Sequence, residues 1–144
     1  MQTIKIIAVG KLKENYLNDA EKEYLKRLSR FCEPEIIEVS DFPDQANSLK
    51  REAKLILPKL SGEVYPLCIE GSPVSSEKFL EFFKDKPLVT FVIGGSNGLD
   101  REIKTKGRPL SLSKLTFPHQ ITRILLLEQI YRGFKIMNNE KYHK

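Results

Sequence analysis

Apolar and polar positions alternate along the chain with two periods, and these predict a regular succession of strands and helices. Short apolar runs bounded by Gly or Pro predict strands at 2–9, 35–40, 64–70, 88–95 and 109–112. Apolar positions three and four residues apart predict helices at 14–31, at about 45–60, from Ser75 or Ser76 to Phe83, and at about 118–137. Strands that alternate with helices are typical of an α/β domain.

The fourth predicted strand indicates the kind of sheet. Its segment LVTFVIGG is almost continuously apolar, and such strands are normally buried on both faces of a mostly parallel sheet. Pro34 is expected to end the first helix, and Ser75 or Ser76 to cap the third. No repeat, low-complexity stretch or linker divides the chain. We therefore expect a single domain over residues 1–144, with helices on both faces of the sheet.

The last predicted helix is apolar on more than one side. Ile121, Leu125 and Ile130 are among ten apolar residues spread around it. A helix with this pattern must be buried on several sides. In a chain this small, one of those sides is expected to pack on a second copy, so we predict a homodimer. Pro118 suits the first turn of this helix, and Thr116 is expected to cap it.

The charge of the chain is unevenly distributed. In all, 24 Lys and Arg and 19 Asp and Glu give a formal net charge of +5. Residues 1–100 contain 14 basic and 16 acidic residues, whereas residues 101–144 contain 10 basic and 3 acidic residues. A basic last third favours a polyanion such as nucleic acid as partner. A solvated basic face without a partner would have the same composition.

Cysteine and targeting signals narrow the possible classes of protein. Cys32 and Cys68 are too few for a disulfide framework, and neither has metal-ligand spacing with the two His residues. We expect reduced thiols, no metal and a cytoplasmic location. The N-terminus lacks the features of a signal peptide, and no apolar run approaches the roughly 20 residues of a membrane span.

A glycine-rich turn follows the fourth strand and is the first candidate ligand site. The segment GGSNGL at 94–99 places three glycines within five residues, which permits positive φ and a ligand close to the backbone. Ligands of open α/β sheets usually bind beyond the carboxyl ends of the strands. A tight turn without a ligand has the same pattern. The turn is neither GxGxxG nor a P-loop, so neither a dinucleotide site nor an NTPase is indicated.

Candidate contacts with an anionic substrate come from the last helix and the end of the chain. His119 and Arg123 are four residues apart and share a helix face, beside the loop 113–117 with its small hydroxyls and backbone donors. The terminal KYHK combines the ring of Tyr142, the imidazole of His143 and two ammonium groups, a set suited to holding a nucleotide. A frayed terminus without a role is the alternative.

Several segments together resemble one known family. The C-terminal string LSLSKLTFPHQITRILLLEQIYRGFKIMNNEKYHK resembles the signature of the RlmH family, and IKIIAVGKLKENYL, LCIEG and VIGGSNGL match the same pattern. The resemblance spans essentially the full length. It implies a methyltransferase of the SPOUT, or α/β-knot, superfamily that binds S-adenosylmethionine as a homodimer. The implied reaction is methylation of N3 of a pseudouridine in 23S RNA of the large ribosomal subunit.

The resemblance also implies a C-terminal trefoil knot and roles for particular residues. The implied cofactor-binding residues are Leu67, Gly94, Leu112, Ser113, Lys114, Leu115, Thr116 and Phe117. We expect His143 or His119 to assist loss of the N3 proton, or a nearby cation to stabilise the imide anion. Tyr142 is expected to stack on or orient the base, and Arg123 to contact a phosphate or a base edge. Recognition is expected to rest on a folded RNA loop within the assembled ribosome.

Three alternatives remain open from the sequence. A non-enzymatic RNA-binding or ribosome-binding module would explain the basic last third, but not a glycine turn beside an apolar pocket. A SPOUT enzyme with another RNA substrate is the second alternative. A flavodoxin-like mononucleotide-binding protein is the third, and it lacks a phosphate loop here. Binding of S-adenosylmethionine separates the module from the enzymes.

Overall fold

A five-stranded sheet organises the chain in the computed structural model, which describes residues 1–42 and 46–144. The strands are β1 (Thr3–Val9), β2 (Glu33–Val39), β3 (Glu63–Pro73), β4 (Leu88–Ile93) and β5 (Leu110–Ser111). They lie in the order β2-β1-β4-β3-β5, and every neighbouring pair is parallel. The helices are α1 (Asn15–Leu28), α2 (Ser48–Ile56), α3 (Ser76–Phe79), α4 (Arg101–Lys104) and α5 (His119–Met137). Short 3₁₀ turns, Leu57–Lys59 and Leu80–Phe82, extend α2 and α3.

The central strand β4 is buried on both faces, as its apolar run predicts. Val89, Phe91 and Ile93 belong to the core that α1, α3 and α5 cover, whereas Val92 belongs to the core that α2 and α4 cover. Strand β4 therefore separates two apolar layers, and the predicted α/β fold with helices on both faces is confirmed. The trefoil knot stays a prediction.

Several element boundaries differ from those predicted. Helix α1 ends at Leu28, so Pro34 does not end it, and β2 starts at Glu33 and includes Pro34. Proline fits there because β2 is an edge strand, where a missing N–H need not break the sheet ladder. Strand β3 continues through Gly71 to Pro73 instead of ending at that glycine. The helix predicted at about 45–60 is observed as α2 and its 3₁₀ turn, and residue 45 lies outside the described residues.

Helix caps account for two further differences. The Ser75 hydroxyl accepts a hydrogen bond from the Lys78 N–H at 3.3 Å, as predicted for the third helix. Helix α4 was not predicted, although Asp100 caps it by accepting from the Glu102 N–H at 2.9 Å. Pro118 occupies the position before α5 and no side chain caps that helix, so the expected cap by Thr116 is wrong.

Helix α5 is buried on one side and partly open on another. Its residues Leu126, Leu127, Ile130 and Phe134 are buried in the core. Ile121 is 38% exposed, so one apolar position near the start of the helix is left uncovered in a single chain.

Candidate active site

A cleft of about 800 Å³ lies at the carboxyl ends of β3, β4 and β5, where open α/β sheets usually bind ligands. Its walls come from the end of β3, the glycine-rich turn after β4, and the segment between β5 and α5. Clefts of this size are typical of small-molecule sites, and most of this lining surface is apolar. The cleft is thus shaped for a ligand with a sizeable apolar part.

Two parts of the backbone come so close together in the glycine turn that a side chain would not fit between them. A Cβ on Gly94 would lie 2.4 Å from the carbonyl oxygen of Gly98, a separation that real Cβ atoms do not adopt. Gly98 has φ of +81°, a conformation that L side chains rarely adopt. Its N–H donates to the carbonyl of Gly95 at 3.1 Å, which closes the turn. The turn therefore presents backbone atoms to the cleft.

Side-chain hydroxyls order the loop on the opposite wall. The Ser111 hydroxyl donates to the carbonyl of Ser113 at 2.9 Å, and the Ser113 hydroxyl accepts from the N–H of Leu115 at 3.0 Å. Leu115 is 69% exposed although it borders the cleft. An apolar side chain held in this position offers a surface for a ligand or a second chain to cover.

Seven of the eight residues proposed to hold the cofactor line this one cleft. They are Leu67, Gly94, Leu112, Ser113, Leu115, Thr116 and Phe117. Lys114 belongs to the same loop and is exposed, but it is not among the lining residues. The structure thus brings three separate stretches of the chain together.

Some residues of the cleft were not predicted from the sequence. Ile69 and Glu70 extend its β3 wall. Glu70 forms an ion pair with Lys104 of α4, which holds the pKa of its carboxyl below the usual range. A carboxylate directly after an apolar strand was the only available signal. Burial raises the pKa of the Cys68 thiol in the same wall, so this cysteine is not an activated nucleophile.

His119 lies at the edge of the cleft. It is the first residue of α5, and its Nε2 would be 3.9 Å from a Cβ placed on Gly10, just after β1. Within residues 1–42 and 46–144 its imidazole has no hydrogen-bond partner. A free imidazole beside a ligand cleft can accept or donate a proton.

Arg123 is one turn further along α5 and is used differently. Its side chain is only 4% exposed. The guanidinium donates to both carboxylate oxygens of Glu21 in α1, and it also pairs with Glu38 of β2 at 2.8 Å. These contacts tie α5 to α1 and to the edge strand. They give Arg123 a clear structural role, and the proposed contact with a phosphate or a base edge stays a prediction.

The four-residue tail, Lys141 to Lys144, is held in place at the other end of α5. The Tyr142 hydroxyl donates to Glu128 at 2.8 Å, its ring meets Tyr131 edge-on at 5.0 Å, and Arg132 lies 4.8 Å above it. Burial and the bond to Glu128 raise the pKa of Tyr142 well above its usual range. The phenol therefore remains a hydrogen-bond donor.

His143 is held between two charged groups. Its Nδ1 is 3.0 Å from a guanidinium nitrogen of Arg132, and its Nε2 is 2.6 Å from a carboxylate oxygen of Glu77. Since the guanidinium can only donate and the carboxylate accepts, these partners assign a proton to Nε2 and leave Nδ1 as acceptor. His143 must release Arg132 before Nδ1 can take a proton from a substrate.

The tail does not line the cleft within one chain. Tyr142 contacts Glu128 and His143 contacts Arg132, which lie nine and 13 residues after His119 on α5. At about 1.5 Å of rise per residue, these contacts lie about 14–20 Å along the helix from its cleft end. Neither Tyr142 nor His143 is among the residues that line the cleft.

Neither a metal site nor a membrane-spanning helix is present among the described residues. They contain no group of three or more His, Cys, Asp or Glu residues able to hold a metal ion. Over the same part of the chain, none of the helices has the length and apolar character needed to span a membrane.

Comparisons with known proteins find relatives over almost the whole chain. The family model described as "Predicted SPOUT methyltransferase" matches residues 1–143. The ribosomal RNA large subunit methyltransferase H of Acetivibrio thermocellus is 49% identical over 157 aligned residues, which cover 98% of this chain and 99% of that protein. Proteins with the same description from Clostridium kluyveri and Streptococcus uberis are 48% and 46% identical, with the same coverage.

Proposed function

The chain belongs to the SPOUT methyltransferase family and, within it, to the RlmH proteins, and from this premise we propose that it methylates ribosomal RNA of the large subunit. The acceptor that we propose is N3 of a pseudouridine in 23S RNA, and the methyl donor is S-adenosylmethionine. Residues 1–144 form one SPOUT domain in this proposal. The observation that carries it is the cleft, in which three separate segments meet around close-approach backbone.

The cleft residues fit the proposed cofactor. Leu67, Leu112, Leu115 and Phe117 provide apolar walls for an adenosyl group, and the glycine turn offers backbone atoms within reach of polar edges. When bound, S-adenosylmethionine supplies a methyl group already activated on a sulfonium. The protein then needs only to bind and orient the two reactants and to exclude water from the site. The scarcity of catalytic side chains around this cleft is consistent with that need.

The chain's remaining task is to position the acceptor nitrogen and to handle its proton. N3 of a pseudouridine is an imide nitrogen, so its proton must leave before or during transfer. The His119 imidazole at the cleft edge has no hydrogen-bond partner among the described residues, and His143 has an acceptor nitrogen once Arg132 is displaced. Tyr142 stays protonated and can orient the base by stacking, and its hydroxyl can donate to the base once it releases Glu128. We propose Arg123 as a framework residue first, with substrate contact as its second role.

We propose that the complete site needs two copies of the chain. The tail contacts α5 about 14–20 Å along the helix from its cleft end, and Ile121 and Leu115 leave apolar surface uncovered near the cleft. An antiparallel pairing of two α5 helices would bring the tail of one chain to the cleft of the other. A homodimer of this kind supplies cofactor loop and tail from different chains.

Recognition of the ribosome follows from the small size of the chain. A protein of 144 residues offers little surface for reading base edges, so the shape of folded RNA is expected to select the target. We therefore propose that assembled large subunits are better substrates than short naked RNA. Equal activity on both would contradict this part of the proposal.

Mass spectrometry of large-subunit RNA tests the function directly. RNA from cells that lack the gene should miss one methyl group on a pseudouridine, and the wild-type gene should restore it. A gene that encodes the Gly94→Ala variant should not restore the methyl group. An unchanged nucleotide, or loss of a methyl group from another base, would overturn the proposed acceptor. Calorimetry provides a second check, since no binding of S-adenosylmethionine would favour a non-enzymatic RNA-binding module.

A further inference from the structure

Exposed cations of α1 and of the tail form one surface beside the base-handling residues. The members of this basic face are Lys22, Lys26, Arg27, Arg30, Lys141 and Lys144. Arg30 forms an ion pair with Glu140, the residue just before the tail, and this contact joins the end of α1 to the end of α5. Lys135 pairs with the same carboxylate at 2.5 Å. These contacts place Arg30, Lys135 and the start of the tail next to one another.

The charge of the basic face is only partly neutralised. Arg27 pairs with Glu23 at 3.2 Å, with both side chains about half exposed, and such surface pairs are weak. Lys22 and Lys26 are exposed and have no ion-pair partner among residues 1–42 and 46–144. Because they are four residues apart, they extend from the same side of α1. Positive charge therefore remains available for an anionic partner.

Aromatic rings lie beneath the two arginines of the basic face. The guanidinium of Arg27 is 5.4 Å from the ring of Tyr24 and 5.6 Å from that of Tyr131, and Arg30 is 4.6 Å above Phe31. These rings restrict the arginine side chains, which lowers the entropy lost when they contact a ligand. The edge contact between Tyr131 and Tyr142 continues the aromatic row into the tail.

The opposite layer of the molecule contains a basic pair that lacks these features. Lys50 and Lys54 of α2 are also exposed and four residues apart. Helix α2 covers the other face of the sheet with α4, away from α5 and the tail. The two lysine pairs therefore match in spacing, exposure and charge, but only the α1 pair lies on the helix whose Arg27 is 5.6 Å from the ring of Tyr131 on α5.

We infer that the basic face is a contact surface for the phosphate backbone of RNA, which it guides toward the tail. This inference rests on the proposed function and names the part of the protein that receives the substrate. Phosphate contacts position a nucleic acid without reading its sequence, and each one adds to the salt dependence of binding. Lys22 and Lys26 act in binding and not in the transfer step.

Two matched double variants test the inference. Lys22→Glu with Lys26→Glu should weaken binding to purified large subunits about tenfold near 0.1 M salt and should lower the salt slope by about two. Lys50→Glu with Lys54→Glu changes the net charge equally and should alter the affinity less than about twofold. Lys22→Arg with Lys26→Arg should retain wild-type binding. All variants should bind S-adenosylmethionine like the wild type, which shows that they are folded.

Binding is measured without turnover, so the two proposals fail in different ways. If the wild type binds subunits but transfers no methyl group, the proposed function is lost. If both Glu variants weaken binding equally, or if the α1 variant has no effect, the basic face is not the contact surface. A third outcome is that the α1 variant loses binding to subunits but still binds deproteinised 23S RNA at low salt like the wild type. This result would show that the basic face contacts a ribosomal protein, and it would overturn the inference.

Discussion

The cleft end and the tail end of α5 are built in different ways. At the cleft, backbone contacts dominate. A Cβ on Gly94 would clash with the carbonyl of Gly98, and two serine hydroxyls order the facing loop. At the tail, side chains dominate: Glu128, Arg132 and Glu77 hold Tyr142 and His143 through hydrogen bonds and ring contacts. The cleft end can enclose a ligand, whereas the tail end holds groups able to orient a base and move a proton.

This contrast explains how a small chain divides two tasks. A cleft of backbone and apolar walls binds well but offers few proton acceptors. A tail of charged and aromatic groups can orient a substrate but encloses no volume. Since about 14–20 Å of α5 separates the tail contacts from the cleft, we propose that a second chain brings the two together.

The largest expected effect concerns the framework at the cleft end. Replacing Arg123 with Ala leaves Glu21 and Glu38 without their shared cation, and Arg123 is nearly fully buried. We expect the free energy of unfolding to fall by about 3–5 kcal/mol, since breaking a buried pair leaves an uncompensated charge. Urea denaturation measures it.

An exposed arginine provides the control for Arg123. Arg30→Ala removes a surface pair with Glu140, with the arginine side chain 63% exposed, and should cost at most about 1 kcal/mol. If Arg123→Ala is as stable as the wild type yet inactive on RNA, then Arg123 serves the substrate and not the framework.

The next effect concerns the glycine turn. Gly94→Ala would force the new Cβ against the carbonyl of Gly98, and no flexible side chain is there to move away. We expect methyl transfer to fall about 100-fold, since a displacement of about 1 Å in a binding wall has that cost. Affinity for S-adenosylmethionine, measured by calorimetry, should fall with it.

Gly98→Ala is the matched change within the same turn. A Cβ at Gly98 meets nothing within 4 Å, so only its positive φ opposes the substitution. The strain amounts to about 1 kcal/mol. Equal loss of cofactor affinity in the two variants would show that the close contact at Gly94 does not shape the cleft.

A moderate effect is expected at the tail. Glu128→Ala removes the acceptor for the Tyr142 hydroxyl and the partner of Arg132, which lies 2.7 Å away. Loss of a hydrogen bond to a charged group costs about 1.5–3 kcal/mol, so we expect kcat to fall at least about tenfold. Affinity for S-adenosylmethionine should not change, because Glu128 lies outside the cleft. A parallel loss of cofactor affinity would contradict the separation of the two ends.

The smallest effect concerns acid pH. The bond to His143 lowers the pKa of Glu77, and pairing with Lys135 and Arg30 lowers that of Glu140. Both carboxyls bind fewer protons in the folded state than in the unfolded state at the same acid pH. Their contribution to stability is therefore present above pH 4.5, the ordinary glutamate value, and is lost as the pH falls through the lowered pKa. Carbon NMR of the two side chains should show titration below pH 4.5, and titration above it would contradict these contacts.

The sequence predicts the fold and the cleft better than it predicts the tail. Strand β4 is predictable because its apolar run reports burial on both faces, and the glycine turn because only glycine permits its close approach. Residues 112–117 depend on the resemblance for their role, and the structure adds that Lys114 is not among the residues that line the cleft. Helix α4 is too short for a periodic pattern, so its Asp100 cap was the only local signal.

Long-range side-chain contacts could not be predicted from sequence. Arg123 pairs with Glu21, 102 positions earlier, and His143 pairs with Glu77, 66 positions earlier. No local pattern specifies such partners, because the fold alone brings them together. Arg123 is an example, because the sequence suggested a contact with the substrate whereas the structure shows contacts with the carboxylates of Glu21 and Glu38. The local sequence around Arg123 would be the same in both cases.

Complementation between two inactive variants is the most direct test of the central claim that cleft and tail come from different chains. Gly94→Ala disables the cleft, and Tyr142→Ala with His143→Ala disables the tail. Each protein alone should be inactive on large subunits. After unfolding and refolding together in equal amounts, half of the dimers should be mixed and each should hold one intact site, so about a quarter of wild-type activity should return. A mixture that forms mixed dimers yet stays as inactive as its components would contradict the account.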